Sequence, residues 1–77
     1  MKIKLRIFGQ LAETIGTHEL LLDNILDTDT LTHHLVRNYP AFAQATYVIA
    51  VEKKIITANT PLGEDATVAL LPPFSGG

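Results

Sequence analysis

Cysteine is missing from all 77 residues. Its absence excludes disulfides, thiolate metal ligands, catalytic thiols and protein persulfides together. It also fits a reducing cytosol, the compartment expected for this chain. Basic charge is not in excess: six Lys and Arg stand against eight Asp and Glu, a formal net charge of −2. A nucleic-acid or acidic-membrane binder would need the opposite balance to neutralise phosphates. No apolar run approaches the roughly 18 residues of a membrane span. The lysine-bearing start passes directly into an alternating pattern, unlike a signal peptide. Repeats, low-complexity tracts and linkers are absent before the last six residues.

What is present favours a folded state. Hydrophobic residues make up 47% and charged residues 18%, and the mean hydropathy is +0.22, far from the disordered range. Length allows one small domain. A chain this short buries only about 60% of its unfolded surface, so the core is modest and a catalytic pocket of its own is not expected. The composition points to a small soluble module that works through partners.

Residues 1–8 read Met-Lys-Ile-Lys-Leu-Arg-Ile-Phe. Ile3, Leu5 and Ile7 share one face, with Lys2, Lys4, Arg6 and Phe8 on the other, which predicts a strand. Gln10 to Ile15 can form a short helical turn ended by Gly16. Thr17 to Leu22 reads as a second strand, hairpin-paired with the first. Asp23, Asp27 and Asp29 lie in a polar stretch suited to capping, where Asp27, Thr28 or Asp29 could accept the first amides of a helix. That helix is expected over Thr30–Tyr39, with Leu31, Leu35, Val36 and Tyr39 forming its apolar stripe and Pro40 closing it. Tyr47–Val51 reads as a buried strand, Glu52-Lys53-Lys54 as a charged turn into Ile55 and Ile56, and Thr60 to Asp65 as a further turn. Thr67–Leu71 is the last strand, stopped by Pro72-Pro73.

One helix on one face of a mixed four- or five-stranded sheet fits this order: an α+β fold. With the first and last strands parallel at the centre, it becomes the ubiquitin-like β-grasp arrangement. The expected division is a β-grasp domain over 1–71 and an extended tail over 72–77.

Few residues carry chemistry. His33 and His34 are adjacent on the helix and cannot chelate one ion as an i, i+4 pair would. His18 lies near a turn, and all three read as surface decoration, so no metal is expected. The acids Asp23, Asp27 and Asp29 lack the sixth-position glycine and twelfth-position glutamate of a calcium loop. Ser75 has no glycine-flanked elbow and no partnered base. The tail differs. Pro72 and Pro73 hold the stem extended, and six residues reach roughly 20 Å. Gly76 and Gly77 carry no side chains and would fit a narrow channel. The Gly77 α-carboxylate is then the one unusual reactive group. Adenylation with ATP would make it an acyl donor. A sulfur nucleophile would leave a thiocarboxylate, and a lysine amine would give an isopeptide bond; the residues do not choose between them.

The stretches Phe8-Gly-Gln-Leu-Ala-Glu-Thr-Ile-Gly, Thr60-Pro-Leu-Gly-Glu-Asp and Val68-Ala-Leu-Leu-Pro-Pro-Phe-Ser-Gly-Gly resemble the small subunit of molybdopterin synthase over the whole chain. The resemblance implies a sulfur carrier of molybdenum-cofactor biosynthesis. It binds no cofactor itself, and a partner adenylating enzyme consumes the ATP. Gly77 would be adenylated, converted to a thiocarboxylate by a sulfur donor system, and inserted with Pro72, Pro73, Phe74, Ser75 and Gly76 into the large subunit. There sulfur would pass to cyclic pyranopterin monophosphate within a heterotetrameric sulfurtransferase. Catalytic side chains are expected on that large subunit, and neither nucleic acid nor membrane is an expected partner. The paired-proline stem separates the chain from the thiamine-pathway carriers, which usually lack it. One departure is Glu52, where the family often has asparagine, a residue better suited to left-handed torsions. Apolar residues on the solvent side of the sheet can mark a docking patch, and Phe8, Ile55 and Leu71 are its expected members. The alternatives are a carrier for thiamine thiazole or another pathway, a ubiquitin-like protein modifier, or a plain interaction module with an idle tail.

Overall fold

Alternation along the first segment is translated directly into burial. In the computed structural model, which describes residues 2–73, strand β1 runs Lys2–Ile7, with Ile3, Leu5 and Ile7 buried and Lys2, Lys4 and Arg6 exposed. Helix α1, Gln10–Ile15, ends where expected: Gly16 takes φ 90° and its N–H donates to the Ala12 carbonyl. Strand β2, Glu19–Asp23, returns antiparallel to β1 with Leu5 opposite Leu20 and Ile3 opposite Leu22. It starts two residues later than its sequence suggests. The Thr17 hydroxyl accepts from the Glu19 N–H at 3.3 Å and donates to the Glu19 carbonyl at 3.0 Å, closing a local turn first.

Helix α2, Thr28–Asn38, begins two residues before the expected Thr30 because Asp27 is its N-cap, accepting from the Thr30 N–H at 2.8 Å. Of the three acids expected to cap, Asp27 does so. Asp29 lies in the first turn, and Asp23 is the last residue of β2, opposite Lys2. Tyr39 stands just past the helix, its N–H bonded to the Leu35 carbonyl at 2.7 Å. Pro40 ends α2 and opens a 3₁₀ turn, Pro40–Ala43, since a first-turn position needs no N–H donor. That turn buries Phe42 edge-on between Tyr39 and Tyr47, at ring distances of 6.1 and 5.8 Å.

Strands β3 (Val48–Val51), β4 (Lys54–Ile56) and β5 (Thr67–Leu71) complete the sheet in the order β2-β1-β5-β3-β4. β1 and β5 run parallel at its centre and every other neighbouring pair is antiparallel. This is the ubiquitin-like β-grasp expected from the order of elements. One expectation needs correction: β3 is not a buried strand. Ala50, on the outer face, is buried, whereas Val48 and the core-side Ile49 and Val51 are half-buried, and Ile49 borders an open cleft lined also by Thr28, Thr32 and Ile56. Leu31 and Leu35 of α2, together with Ile25, Leu62 and Ala66 from the loops, join Ile3, Leu5, Ile7, Val68 and Leu70 in one core cluster.

Candidate functional site

Two pieces of the fold define the site: the face of the sheet opposite the core, and the stem leaving β5. The residues fall on that face by register. Arg6 lies opposite Ala69, Ala69 opposite Ala50, and Ala50 opposite Ile55. The next row holds Leu71 opposite Val48, with Phe8 following β1 and its N–H bonded to the Leu70 carbonyl at 3.0 Å.

The three expected docking residues therefore share one face. Phe8 is 41% exposed and Ile55 50% exposed, while Leu71 is half-buried. They do not form a compact trio. Two strands separate β4 from β1, and the space between is spanned by Val48, Ala50 and Ala69, which sequence reasoning missed. The signal was parity. Once β5 pairs with β3, Ala50 and Ala69 sit on the face shared by Phe8 and Leu71, and their short side chains keep the middle of the sheet low.

Positive charge borders the apolar area. Lys2, Lys4 and Arg6 form the outward column of β1, and the Arg6 guanidinium lies 5.9 Å from the centre of the Phe8 ring, a cation–π contact that holds the ring on the face. Across β2, Glu19 stands opposite Arg6 and Leu21 opposite Lys4. The far corner is fixed by Glu52. It takes φ 49° and Lys53 φ 70° in the two-residue β3–β4 turn, torsions that cost a non-glycine residue free energy. Here the glutamate gives something in return. Its carboxylate accepts from the Thr67 N–H at 2.8 Å, and its own N–H donates to the Thr67 carbonyl at 2.9 Å, so β5 starts with both polar groups satisfied.

Beyond Leu71 the stem is exposed at Pro72 and Pro73. These two prolines, with Phe8, Gln10, Leu11, Thr14 and Tyr47, line a cleft of about 320 Å³. Burial pushes the Tyr47 phenol above its ordinary pKa, opposed by a hydrogen bond with Thr32, so Tyr47 stays neutral at physiological pH. The tail residues expected to carry the chemistry, Phe74, Ser75, Gly76 and Gly77, lie outside the described residues.

Elsewhere the candidate groups are dispersed. His18, His33 and His34 do not converge, and among the described residues no three His, Asp or Glu side chains are placed to hold a metal ion. Among the described residues no helix is long and apolar enough to cross a membrane. The most densely bonded polar cluster is at the start of α2. The Asn59 side-chain oxygen accepts from the Asp29 N–H at 2.9 Å and from the Thr28 hydroxyl at 3.3 Å, while its amide donates to Asp27 at 3.2 Å. The Thr28 hydroxyl in turn accepts from the Thr60 N–H at 2.9 Å. Hydrogen bonds from Thr30, and then from Asn59, hold the Asp27 carboxyl below its ordinary pKa. This cluster clamps the 59–62 loop to the start of the helix.

The geometry agrees with what the chain is similar to. No curated protein matches it in sequence. Among solved structures, small archaeal modifier protein 1 (SAMP1) from Haloferax volcanii superposes with a TM-score of 0.81 at 20% identity, covering 100% of both chains. SAMP1 from Methanosarcina acetivorans gives 0.82 at 24% identity, covering 99% of this chain and 96% of that one. A complex of subunits 1 and 2 of molybdopterin-converting factor from Helicobacter pylori matches with a TM-score of 0.75 at 26% identity, covering 100% of this chain and 100% of the matched one. The ThiS family model matches residues 5–77. With that match running from β1 through the diglycine end, the chain belongs to the ThiS family and has its sulfur-carrier, ubiquitin-like fold.

Proposed function

We propose that this protein is the sulfur-carrying small subunit of a molybdopterin synthase, and that Gly77 is its working residue. The observation that carries the reading is the path of the chain. The central strand β5 leads through an exposed Pro72-Pro73 stem, beside an apolar outer face, into a sequence that closes on Ser-Gly-Gly. The division falls at Leu71: the folded domain supplies recognition, and residues 72–77 supply reach. An oxygen of the Gly77 carboxylate attacks the α-phosphorus of ATP on a partner adenylating enzyme, expelling pyrophosphate. A sulfide equivalent from a sulfur donor then attacks the acyl carbon and expels AMP, leaving a thiocarboxylate. The extended tail inserts into the large subunit, where that sulfur passes to cyclic pyranopterin monophosphate. Phe8, Ile55 and Leu71, with Val48 and Ala69 between them, form the surface both partners grip, since apolar residues outside the core are available for association. The side chains for the transfer chemistry come from the large subunit of the heterotetramer.

The test is the intact mass after incubation with ATP, an adenylating enzyme and a sulfur donor. The expected result is the gain of one oxygen-to-sulfur exchange, located at Gly77, and lost when Gly76 and Gly77 are deleted. Turnover of the pyranopterin precursor by the charged protein then separates this pathway from thiamine thiazole. The similarity to two SAMP1 structures favours a second reading, attachment of Gly77 to lysine amines of other proteins. A ladder of conjugates in place of the sulfur-bearing product would establish that reading and overturn the first.

A further inference from the structure

Pro72, the first residue of the stem, rests against bare backbone. Gly9 adopts φ 71°, ψ −155°, a combination that residues with a side chain essentially do not populate. A Cβ placed on Gly9 would lie 3.2 Å from Cγ, 3.5 Å from Cδ and 3.7 Å from Cβ of Pro72. Position 9 is thus restricted twice, by torsion and by the proline ring. It is also anchored on both sides: the Phe8 N–H bonds the Leu70 carbonyl at 3.0 Å, and the Gly9 carbonyl accepts from the Ala12 N–H at 3.1 Å in the first turn of α1. Gly16 offers an internal contrast. Its φ is 90°, yet nothing lies within 4 Å of where its Cβ would stand. Both glycines satisfy a backbone requirement, but Gly9 alone of the two touches the stem.

We propose that Gly9 is a positioning residue for the carboxyl-terminal tail: its missing side chain seats Pro72 and thereby sets the direction in which the tail leaves the sheet. Free volume beside the stem makes that direction adjustable, because Pro72 and Pro73 line the cleft of about 320 Å³. A methyl group at position 9 therefore moves the stem before it compresses the core. The functional part of the inference rests on the carrier reading of Gly77, whereas the geometric part does not.

The experiment has two arms. Because the chain lacks cysteine, Ser75→Cys takes a single nitroxide, whose relaxation effect on backbone amides reports where the tail points. Gly9→Ala is expected to redistribute that effect over Leu11, Thr14 and Thr46 around the cleft, and Gly16→Ala to leave it unchanged. In a Pro72→Ala background the Gly9→Ala change is expected to shrink to what the torsion at position 9 alone produces, because the Cγ and Cδ atoms it would press on are gone. The unlabelled proteins are then charged with ATP, an adenylating enzyme and a sulfur donor. Gly9→Ala is expected to lower kcat for thiocarboxylate formation about tenfold, as misplacement of a reacting group does, with KM unchanged because the outer face is intact. An unaltered relaxation pattern, or an equal change in the Pro72→Ala background, overturns the proposal. So does a redirected tail that is charged at the parental rate. Should Gly9→Ala not fold, Pro72→Ala alone probes the same contact from its other side, and an unchanged pattern there also overturns it. If the parent protein is never charged, the carrier reading falls while the relaxation arm still judges the seat.

Discussion

The two faces of the same sheet, one residue apart along every strand, have opposite fates. Leu5, Val68 and Leu70 are fully sealed under α2 and the loops, whereas Phe8 and Ile55 keep about half of their surface in solvent. Both faces are apolar in the middle of the sheet, so hydrophobicity alone does not distinguish them. The distinction lies in what covers them. The helix side is closed by Leu31, Leu35, Phe42 and Leu62, and the other side has no covering element among the described residues. A residue's parity along its strand therefore decides whether it faces the covered side or the open one.

Substitutions on the two sides should separate these roles. Leu5→Ala, at a site with no exposure, is expected to lose about 2–5 kcal/mol, a large fraction of what a domain this size possesses. Guanidinium denaturation should show the midpoint falling sharply; a change well below that range would break the contrast between the faces. Phe8→Asp is expected to alter the unfolding free energy by no more than about 0.5 kcal/mol. The same change should weaken binding to the adenylating enzyme by about 2 kcal/mol, roughly thirtyfold, if Phe8 is an anchor of the interface. Calorimetry on the folded variant reads this, and unchanged affinity would remove the outer face from the docking surface.

The clamp at the start of α2 sharpens the comparison, because it secures the closed face through polar groups. Thr28→Val keeps the shape of a buried side chain but leaves the Thr60 N–H without its acceptor, and should cost about 1–2 kcal/mol. Asp27 gives the smallest effect, read through pH. Its folded pKa is depressed, so its contribution is complete above the unfolded value of about 3.9 and is lost as pH falls through the folded value. The stability gap between the parent and Asp27→Asn should accordingly close on acidification. A gap that stays constant with pH would mean that the carboxylate charge contributes nothing to the cap.

Much of this architecture was legible because period-two alternation in β1 and the turn-forming residues around Gly16 and Pro72 act locally. The central parallel pair followed from the order of elements. What escaped was decided by distant partners. Asn59 lies about thirty residues from the helix it clamps, and the local sequence offered Asp27, Thr28 and Asp29 as caps without choosing among them. Pro40 read as a stop, and it is one, yet the same residue opens the turn that buries Phe42. For the site, alternation within single strands placed Phe8 and Leu71 on their shared face, and Ile55 was added through the family resemblance. Val48, Ala50 and Ala69 became visible only with the β5–β3 register. Glu52 looked like a liability in a left-handed turn, because its bond to Thr67 spans fifteen residues of sequence.

The parallel pairing of β1 and β5 also has a mechanical side. An arm drawn into another protein transmits its tension into β5 along the strand axis, and β5 is flanked by a hydrogen-bonded neighbour on each edge. Tugging there must shear both ladders together, and cannot peel a border strand away one bond at a time. The end of the domain that carries the stem is thus the one least open to being unzipped.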